Sequence, residues 1–506
     1  MQRSSVGLAL SLLLLVGVAV FAFDQMSPGR SRAAINGRSR LAIEVNTTRL
    51  SFYFHPGAVG LSIETSQLSR AALRPAGPLV SLMRALGPGT LRIGGNSADR
   101  SWWTDNGEPK PAWATSTVTP DDLTRLDDLL GSVGWNAILT VDLGHFEPAR
   151  AAEEASSASR ILGPRLRAIE IGNEPNAYAT SLEKLRPASY GVGNYIGEVD
   201  VYRERILKAE PSIRFDGPDL SFAPSSHTWL PVIAQVRPSP FAEITYHYYP
   251  TAYNRPEGRC LRTEVPPARA LLSPLTREYE ENLLGRLEAA GALARRPTRL
   301  SETNTTSSCN SAGGPRTSPV FASALWALDW TLRAADSGVT GLNFHGKFGR
   351  CSPNSSSSIC APRSLASARL TARPEYYGLY AASRLEGGRF IPLKLEGQGV
   401  RSADFTAYAT LRRNHTLTVA IVNMAPRGAA QIAITAPGYG AGTVDRLTAP
   451  SIHAKGHVTF GGASVDTEGQ LRPRAIPVHH ESDTFTLRSH AGSAQIVTLT
   501  PTIGAR

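Results

Sequence analysis

The sequence lacks the short patterns that identify nucleotide-, nucleic-acid- and zinc-binding proteins. It contains no glycine-rich phosphate loop and no basic run interleaved with aromatic residues. Its few cysteines, Cys260, Cys309, Cys351 and Cys360, form no Cys-x-x-Cys pair, and His479-His480 and the scattered histidines show no metal-ligand spacing. We therefore expect no cofactor, no bound metal and no nucleic-acid partner.

Acidic residues are the minority among the charges. The 506 residues include 53 Lys and Arg against 42 Asp and Glu, which gives a net charge of +11. Such an excess favours contact with acidic polysaccharides or other anionic surfaces. Because no basic cluster stands out, we interpret the charge as a general surface property. At 42% hydrophobic and 19% charged residues, the chain is long enough for a large domain and a second, smaller one.

Long apolar runs are also scarce, apart from one that extends from Val6 to Phe23 behind Gln2-Arg3. This run predicts an export signal, with Val20-Phe21-Ala22 as the cleavage site. Because its length approaches the roughly 20 residues that span a bilayer, an uncleaved membrane anchor is the alternative. We assign residues 1–22 to the signal or anchor and 23–39 to a flexible tether. Either way, the rest is expected to be secreted, periplasmic or cell-surface anchored.

An even number of cysteines in an exported chain predicts disulfides. The preferred pairing joins Cys351 to Cys360 across a serine-rich loop and Cys260 to Cys309 between neighbouring strands. Four cysteines allow three connectivities, so the other two remain open.

Apolar β-rich runs alternate with helical stretches over much of the chain. Proline and acids open one helix at Pro120-Asp121-Asp122, and Glu278 to Leu293 forms another. This α/β alternation predicts a (β/α)8 barrel over residues 59–383, with its active site at the C-terminal ends of the strands. The eight runs begin near Gly60, Thr90, Asn136, Leu166, Ile213, Ala242, Thr298 and Thr340.

The sequence pattern changes after the predicted barrel. Residues 384–506 contain short alternating strands separated by Gly, Pro and Asn turns, which predict a C-terminal β-sandwich. We expect this domain to support the barrel; carbohydrate binding is its alternative role. Residues 40–58 also predict a strand before the barrel begins.

Two glutamates stand at the mouths of predicted strands. Glu174 follows the fourth run and directly precedes Pro175, and Glu302 ends the seventh. Hydrolysis of a glycosidic bond needs two such acids, one to protonate the leaving oxygen and one to attack or stabilise the sugar carbon. The pair therefore predicts a glycosidase.

Several motifs in this order resemble those of glycoside hydrolase family 79, the β-glucuronidase and heparanase family, within the superfamily of retaining (β/α)8 glycosidases. The likeness is carried by Leu91 to Asp99 (LRIGGNSAD), Asn173-Glu174-Pro175, Thr245 to Tyr249 (TYHYY), Ser301-Glu302-Thr303-Asn304, Gly313-Gly314-Pro315, and Gly461 to Asp466 (GGASVD).

The resemblance implies catalytic roles. Glu174 would be the general acid/base and Glu302 the nucleophile, with retention of anomeric configuration and carboxyl groups about 5–5.5 Å apart. It implies that Asn173 binds the sugar 2-hydroxyl and that the N-terminal strand joins the C-terminal sandwich. It also implies that Tyr248 orients the nucleophile. Tyr246 would share the face of Tyr248, with His247 and Tyr249 turned away.

Glu64 and Asn96 match family positions that contact the sugar directly before the cleaved bond. Arg92, on the same strand face as Asn96, either holds the nucleophile as an anion or forms an ordinary barrel ion pair. Trp102 and Trp103 follow at the mouth, where one forms a platform for a sugar ring or both are packed.

A glucuronide carboxylate is held by a glycine-rich nest or by a cation. Gly313-Gly314 and Gly346-Lys347 are the available groups, although residues 305–308 lack the family's tyrosine and Phe348 replaces an aromatic hydroxyl. We expect a β-glucuronidase acting on a carbohydrate substrate. A retaining β-glycosidase for a neutral sugar and a non-catalytic carbohydrate-binding barrel are the alternatives. The sequence indicates no oligomeric state.

Overall fold

The computed structural model describes residues 39–69, 73, 75–180, 183–250, 268–305, 317–351, 356–361, 370–398 and 404–502. The predicted signal or anchor, the tether up to residue 38, the Cys260–Cys309 pairing and Gly313-Gly314 lie outside these residues. Among the helices of the described part, none has the length and apolarity needed to cross a membrane.

The secondary structure alternates through the first two thirds of the described chain and is β-rich thereafter. The strands are β1 (Arg40–Val45), β2 (Val59–Glu64), β3 (Gly89–Gly94), β4 (Ser101–Trp103), β5 (Ser116–Val118), β6 (Trp135–Val141), β7 (Leu166–Ile171), β8 (Phe215–Leu220), β9 (Glu243–Tyr248), β10 (Thr298–Thr303), β11 (Val339–Gly346), β12 (Ile359–Cys360), β13 (Thr371–Ala372), β14 (Arg389–Ile391), β15 (Leu393–Gln398), β16 (Phe405–Leu411), β17 (Leu417–Asn423), β18 (Ala429–Thr435), β19 (Tyr439–Thr448), β20 (Thr459–Phe460), β21 (Ile476–Pro477), β22 (His479–Glu481), β23 (Thr484–His490) and β24 (Ser493–Pro501). The helices are α1 (Pro78–Ala85), α2 (Pro120–Val133), α3 (Pro148–Leu162), α4 (Val192–Ala209), α5 (Ser226–Ala234), α6 (Ala268–Leu271), α7 (Pro274–Ala294), α8 (Ala322–Asp336) and α9 (Pro374–Ser383).

Eight parallel strands close a barrel in the order β2, β3, β6, β7, β8, β9, β10 and β11, and β11 pairs with β2. They coincide with the eight predicted runs, so the predicted fold class is confirmed. The fifth strand differs most, because it extends to Leu220 whereas the predicted run ended at Gly217. This shift places Asp219 inside a barrel strand.

Local sequence explains where the helices begin and end. In α2, the Thr119 N–H donates to Asp122 Oδ2 (2.9 Å), and Gly134 ends the helix in the left-handed region at φ 72°. In α7, Ser273 Oγ accepts from the Thr276 N–H (3.2 Å) just before Pro274. These caps orient helices that cover the outside of the barrel.

The interior of the barrel is polar, although its strands are buried on both faces. In β3, Leu91 and Ile93 pack into the hydrophobic layer under the helices, whereas Arg92 points inward and is fully buried. In β9, Thr245 and His247 are fully buried on the inner face. Buried charges are stable only when paired and hydrogen-bonded, so this interior must be a connected network.

A β-sandwich follows the barrel, as predicted. One sheet has the order β15, β1, β18, β23, β22, and the other contains β14, β16, β17, β24, β19 and β20. Strand β1 pairs antiparallel with β15 and parallel with β18, which confirms that the N-terminal strand joins this domain. Its core includes Leu41, Ile432, Phe485 and Val497.

Buried polar contacts join the sandwich to the barrel. The Tyr408 hydroxyl of β16 donates to Asp329 Oδ1 of α8 (2.9 Å), and Arg333 pairs with Asp329 and lies 3.4 Å from Glu280 Oε2 of α7. This junction fits the predicted supporting role. The predicted Cys351–Cys360 disulfide is also present, with Cα atoms 5.0 Å apart.

Candidate active site

Glu174 lies shortly beyond the end of β7, in a backbone conformation that few non-glycine residues adopt. Its φ and ψ are 53° and 49°, in the left-handed region. Its N–H donates to the Asp219 carbonyl oxygen (3.1 Å), which helps to hold the turn. Such strained residues persist only where the surroundings enforce them, and they concentrate at functional sites.

Glu302 lies within β10 at a β-bulge. The register with β9 shifts between Leu300 and Glu302, and the register with β11 shifts between Leu300 and Thr303. Strict alternation would turn Glu302 away from the interior, because Ser301 already points inward to Asp219. The bulge re-aims the Glu302 side chain toward the barrel mouth.

The two acids converge. One carboxylate oxygen of Glu174, one ring nitrogen of His247 and one carboxylate oxygen of Glu302 all lie within 4.8 Å of one another. The carboxylates therefore share one cavity.

Glu302 is surrounded by donors that stabilise its charged form. Oε2 accepts from Arg92 Nη1 (2.6 Å) and lies 3.3 Å from His345 Nδ1, while Oε1 accepts from the Tyr249 hydroxyl. Burial raises the pKa of Glu302, but the charges of His345, His247 and Arg92 and the Tyr249 hydrogen bond outweigh burial and hold the pKa below its ordinary value.

Glu174 has a different environment. Its side chain is 21% exposed against 8% for Glu302, and Oε1 lies 3.0 Å from His247 Nδ1. His247 is fully buried. Burial lowers its pKa, but Glu302, Asp219 and Glu174 outweigh burial and raise the pKa to about 10. A charged His247 ring donates to Glu174 Oε1 and leaves Oε2 as the oxygen that can carry an exchangeable proton.

The same three side chains have the composition of a metal site, but their protonation does not suit one. Metal-bound histidine must be neutral, whereas the raised pKa of His247 keeps its ring charged at neutral pH. Both oxygens of Glu302 already accept from Arg92 or Tyr249. The arrangement is better matched to proton transfer.

Three of the predicted sugar-binding residues line the same cavity. Asn173 Oδ1 accepts from Arg92 Nη2 (3.0 Å), and its Nδ2 donates to Asn96 Oδ1 (3.1 Å). Glu64 Oε2 accepts from the Ser97 N–H (2.9 Å). Burial raises the pKa of Glu64, but hydrogen bonds from His345 and Ser97 outweigh burial and lower the pKa to about 2. Glu64 is therefore an acceptor at neutral pH.

The prediction for Tyr248 is wrong by one residue. The Tyr248 ring packs on Trp330 of α8 (centroids 5.0 Å apart), and the Tyr246 hydroxyl contacts Ser226 of α5 (2.7 Å). Both tyrosines thus face the helices. It is Tyr249, just after β9, that donates to the carboxylate of Glu302. The prediction turned the wrong face of β9 toward the interior, because an aromatic strand gives no sign of which side is the interior.

Of the two alternatives for the tryptophans at the mouth, the structure shows the packed one. Trp102 and Trp103 are 6% and 2% exposed, and the Arg150 guanidinium covers Trp102 at 3.4 Å.

Gly346 ends β11, and the Lys347 N–H already donates to Ser357 Oγ (2.7 Å), while the Lys347 side chain is exposed. Gly346 and Lys347, two of the residues predicted to hold a carboxylate, therefore do not form an open nest of N–H groups.

Sequence reasoning left Arg92 undecided and missed Asp219. The structure decides the first: Arg92 bonds Glu302, Asn173, Asp219 and Glu170, whose Oε2 lies 2.7 Å from Nε. A signal for Asp219 was available, since it follows Gly217-Pro218 at the end of a barrel strand. The predicted fifth strand stopped short of it.

Removal of the Tyr249 hydroxyl tests the environment of Glu302, the predicted nucleophile. In Tyr249→Phe, the Glu302 anion loses a donor, so its pKa rises and the acidic limb of kcat/KM moves to higher pH. We expect a shift of about one pH unit, with kcat roughly 10-fold lower. A pH–rate profile measures both. Tyr248→Phe, one residue away on the outer face, is the control, and an equal shift in that variant would contradict the assignment.

A family profile matches the C-terminal part of the chain. Residues 407–497 match the profile of the glycosyl hydrolase family 79 C-terminal beta domain. No curated protein sequence matches the chain.

Solved structures with the same fold are glycoside hydrolases. A 4-O-α-L-rhamnosyl-β-D-glucuronidase from Fusarium oxysporum 12S superposes with a TM-score of 0.69 at 18% identity, covering 90% of this chain and 100% of that one. A family 51 arabinofuranosidase from Xanthomonas axonopodis pv. citri gives 0.66 at 14% identity, covering 91% and 100%. A family 44 xyloglucanase from Paenibacillus polymyxa gives 0.58 at 12% identity, covering 91% and 100%.

The barrel, the sandwich and the matched domain define the protein as a glycoside hydrolase. The match at residues 407–497 is to a domain of glycoside hydrolase family 79, the family that the motifs resemble.

Proposed function

We propose that the protein is a retaining β-glycosidase that releases β-linked glucuronic acid from glycans or glycosides. The observation that carries this proposal is the convergence of Glu174 and Glu302 in opposite environments, with one oxygen of each within 4.8 Å. Retaining enzymes keep their carboxyl groups about 5–5.5 Å apart, whereas inverting enzymes need about 6.5–9.5 Å to admit a water. The short separation favours double displacement over an inverting mechanism, and the presence of both acids argues against a binding-only barrel.

The mechanism has two steps. In the first, Glu174 gives its proton to the aglycone oxygen while Glu302 attacks the anomeric carbon, so the glycosidic bond breaks and a glycosyl-enzyme ester forms. In the second, Glu174 takes a proton from water, which attacks the anomeric carbon and releases Glu302 and the sugar with retained configuration. Glu302 is suited to attack because Arg92, His345 and Tyr249 keep it ionised.

The sugar-binding roles follow from position. Asn173 lies between Arg92 and Asn96 beside the acids, where it can bond the sugar 2-hydroxyl. Glu64 is held as an anion at the opposite side of Glu302, across His345, and accepts from a further sugar hydroxyl.

The uronate part of the proposal rests on the family motifs and on the β-D-glucuronidase among the similar structures. A neutral β-glycoside is the second candidate, because the Lys347 N–H already bonds Ser357 and Phe348 is buried, so this loop offers little to a carboxylate. We also propose that the protein is exported. The apolar run Val6 to Phe23 and the Cys351–Cys360 disulfide support that location.

A panel of aryl β-glycosides that differ only at C6 tests the substrate. We expect cleavage of the glucuronide at least 100-fold faster than of the glucoside or the uronamide, because a site that bonds a carboxylate rejects analogues lacking it by large factors. Cleavage of the glucoside alone would remove the uronate claim. NMR of the first-formed sugar tests the mechanism, since initial release of the α anomer would exclude double displacement.

A further inference from the structure

Asp219 is a buried carboxylate that the two catalytic steps do not use. It lies near the end of β8, is 1% exposed, and has φ 53°, in the left-handed region. Its N–H donates to Thr245 Oγ1 (2.9 Å), and its Oδ1 accepts from Ser301 Oγ. Like Glu174, it is a non-glycine residue in a conformation that the surroundings must enforce.

Asp219 contacts the supports of both catalytic acids. Its carbonyl oxygen accepts from the Glu174 N–H (3.1 Å), and its Oδ1 lies 3.5 Å from His247 Nε2. The other ring nitrogen of His247 contacts Glu174 Oε1 (3.0 Å). The second carboxylate oxygen of Asp219, Oδ2, lies 3.3 Å from Arg92 Nη2, and Arg92 Nη1 donates to Glu302. One side chain thus links the acid/base to the clamp on the nucleophile.

We propose that Asp219 is a positioning residue that holds the Glu174 backbone in place and orients the His247 ring against the Glu174 carboxylate. This proposal rests on the proposed function, because it assigns Glu174 a proton to deliver. Asp219 itself is not expected to touch the substrate.

Charged groups cluster around Asp219. Burial raises the pKa of Glu170 well above its usual range, and the Arg92 guanidinium opposes that rise. Arg92 contacts the carboxylates of Asp219 and Glu302, and His247 contacts those of Asp219 and Glu174. The titratable groups that face this cluster come from six other strands and one loop: Glu64 (β2), Arg92 (β3), Glu170 (β7), Glu174 (the loop after β7), His247 (β9), Glu302 (β10) and His345 (β11).

Loss of the Asp219 charge would change this cluster in a predictable direction. With asparagine at this position, Arg92 and His247 would each lose an anionic neighbour. Because the Asp219 carboxylate is one of the groups that raise the pKa of His247, that pKa would fall. The basic limb of kcat/KM would therefore move to lower pH.

The experiment compares Asp219→Asn with Asp216→Asn. Asp216 lies on the same strand and is 2% exposed, but it accepts from the Glu243 N–H (3.1 Å), in a cluster with Arg299 away from Glu174. Both variants lose one buried carboxylate from β8. Only Asp219→Asn is expected to move the basic limb, by about one pH unit.

A series of leaving groups supplies a second readout. In Asp219→Asn, kcat/KM should fall roughly 100-fold for an aryl glycoside with a poor leaving group, which needs the proton. For a dinitrophenyl glycoside, which does not, it should fall only a few-fold. A merely structural defect lowers both equally, and that result, or a pH profile matching Asp216→Asn, overturns the proposal.

The wild-type protein provides a measurement that does not depend on whether the variant folds. In ¹⁵N-histidine NMR, the His247 ring, assigned with His247→Gln, should be protonated at pH 7; a neutral ring overturns the proposal. The substrate is whichever aryl glycoside the wild type cleaves fastest. If the wild type cleaves none of the aryl glycosides, the proposed function is contradicted. If the wild type is active but Asp219→Asn lowers kcat/KM equally for good and poor leaving groups, only the role of Asp219 is contradicted.

Discussion

Replacement of Glu302 by alanine is expected to abolish cleavage of an activated aryl β-glucuronide, with kcat lowered by roughly 10⁵-fold. The variant has no carboxylate to attack the anomeric carbon, so the glycosyl-enzyme ester cannot form. Arg92 would keep its contacts to Glu170 and Asp219, so the charge cluster below the site survives in part. Steady-state release of the aryl alcohol measures the loss.

The matched control for this variant is Glu386→Ala. Glu386 is also a buried glutamate, but it accepts from the Gly57 and Val59 N–H groups at the entrance to β2, at the opposite end of the barrel. The Glu386→Ala variant should be less stable than the wild type but should retain its kcat per folded molecule. Azide added to Glu302→Ala should yield the α-glycosyl azide, because the anion enters the space of the lost carboxylate. Unchanged turnover in Glu302→Ala would reject the nucleophile assignment.

The second large effect is expected for Glu174→Ala, and it should depend on the leaving group. For a poor leaving group, kcat/KM should fall by about 10³- to 10⁴-fold, because no other group supplies the proton. For a dinitrophenyl glycoside, the first step needs no proton, and hydrolysis of the glycosyl-enzyme becomes limiting. Azide should then accelerate turnover and give the β-glycosyl azide.

Glu183→Gln is the control for a neighbouring carboxylate at the mouth. Glu183 pairs with Arg100 (2.8 Å) and accepts from Asn96 Nδ2 (3.3 Å). Its removal should produce neither leaving-group selectivity nor a glycosyl azide. If Glu174→Ala behaved in the same way, the proton donor would have to be sought elsewhere in the cavity.

The barrel was predictable because its signals are local. Alternation of apolar runs with capped helices places eight strands within a few residues, and parallel strands bring their C-terminal ends to one mouth. The positions of Glu174 and Glu302 near two such ends were therefore enough to anticipate that they converge. The N-terminal strand β1 was predicted as a strand from its own residues, but its partners β15 and β18 were implied only by the family likeness.

Side-chain direction was less predictable. The run Thr245 to Tyr249 alternates correctly, but nothing in it states which face is inside, so Tyr248 was chosen in place of Tyr249. The bulge at Glu302 overrides alternation, and bulges depend on how two strands pair. Asp219 was overlooked because the fifth strand extends beyond its apolar run.

By itself, the sequence determined the barrel, the sandwich and the paired acids and favoured the Cys351–Cys360 bridge, since each depends on periodicity or spacing along one stretch of chain. Only the tertiary structure decided that Arg92, Tyr249 and His247 support those acids and that Asp219 links them. These contacts join β3, β8, β9 and β10 across the barrel. Such pairings depend on strand register and closure, which no single segment encodes.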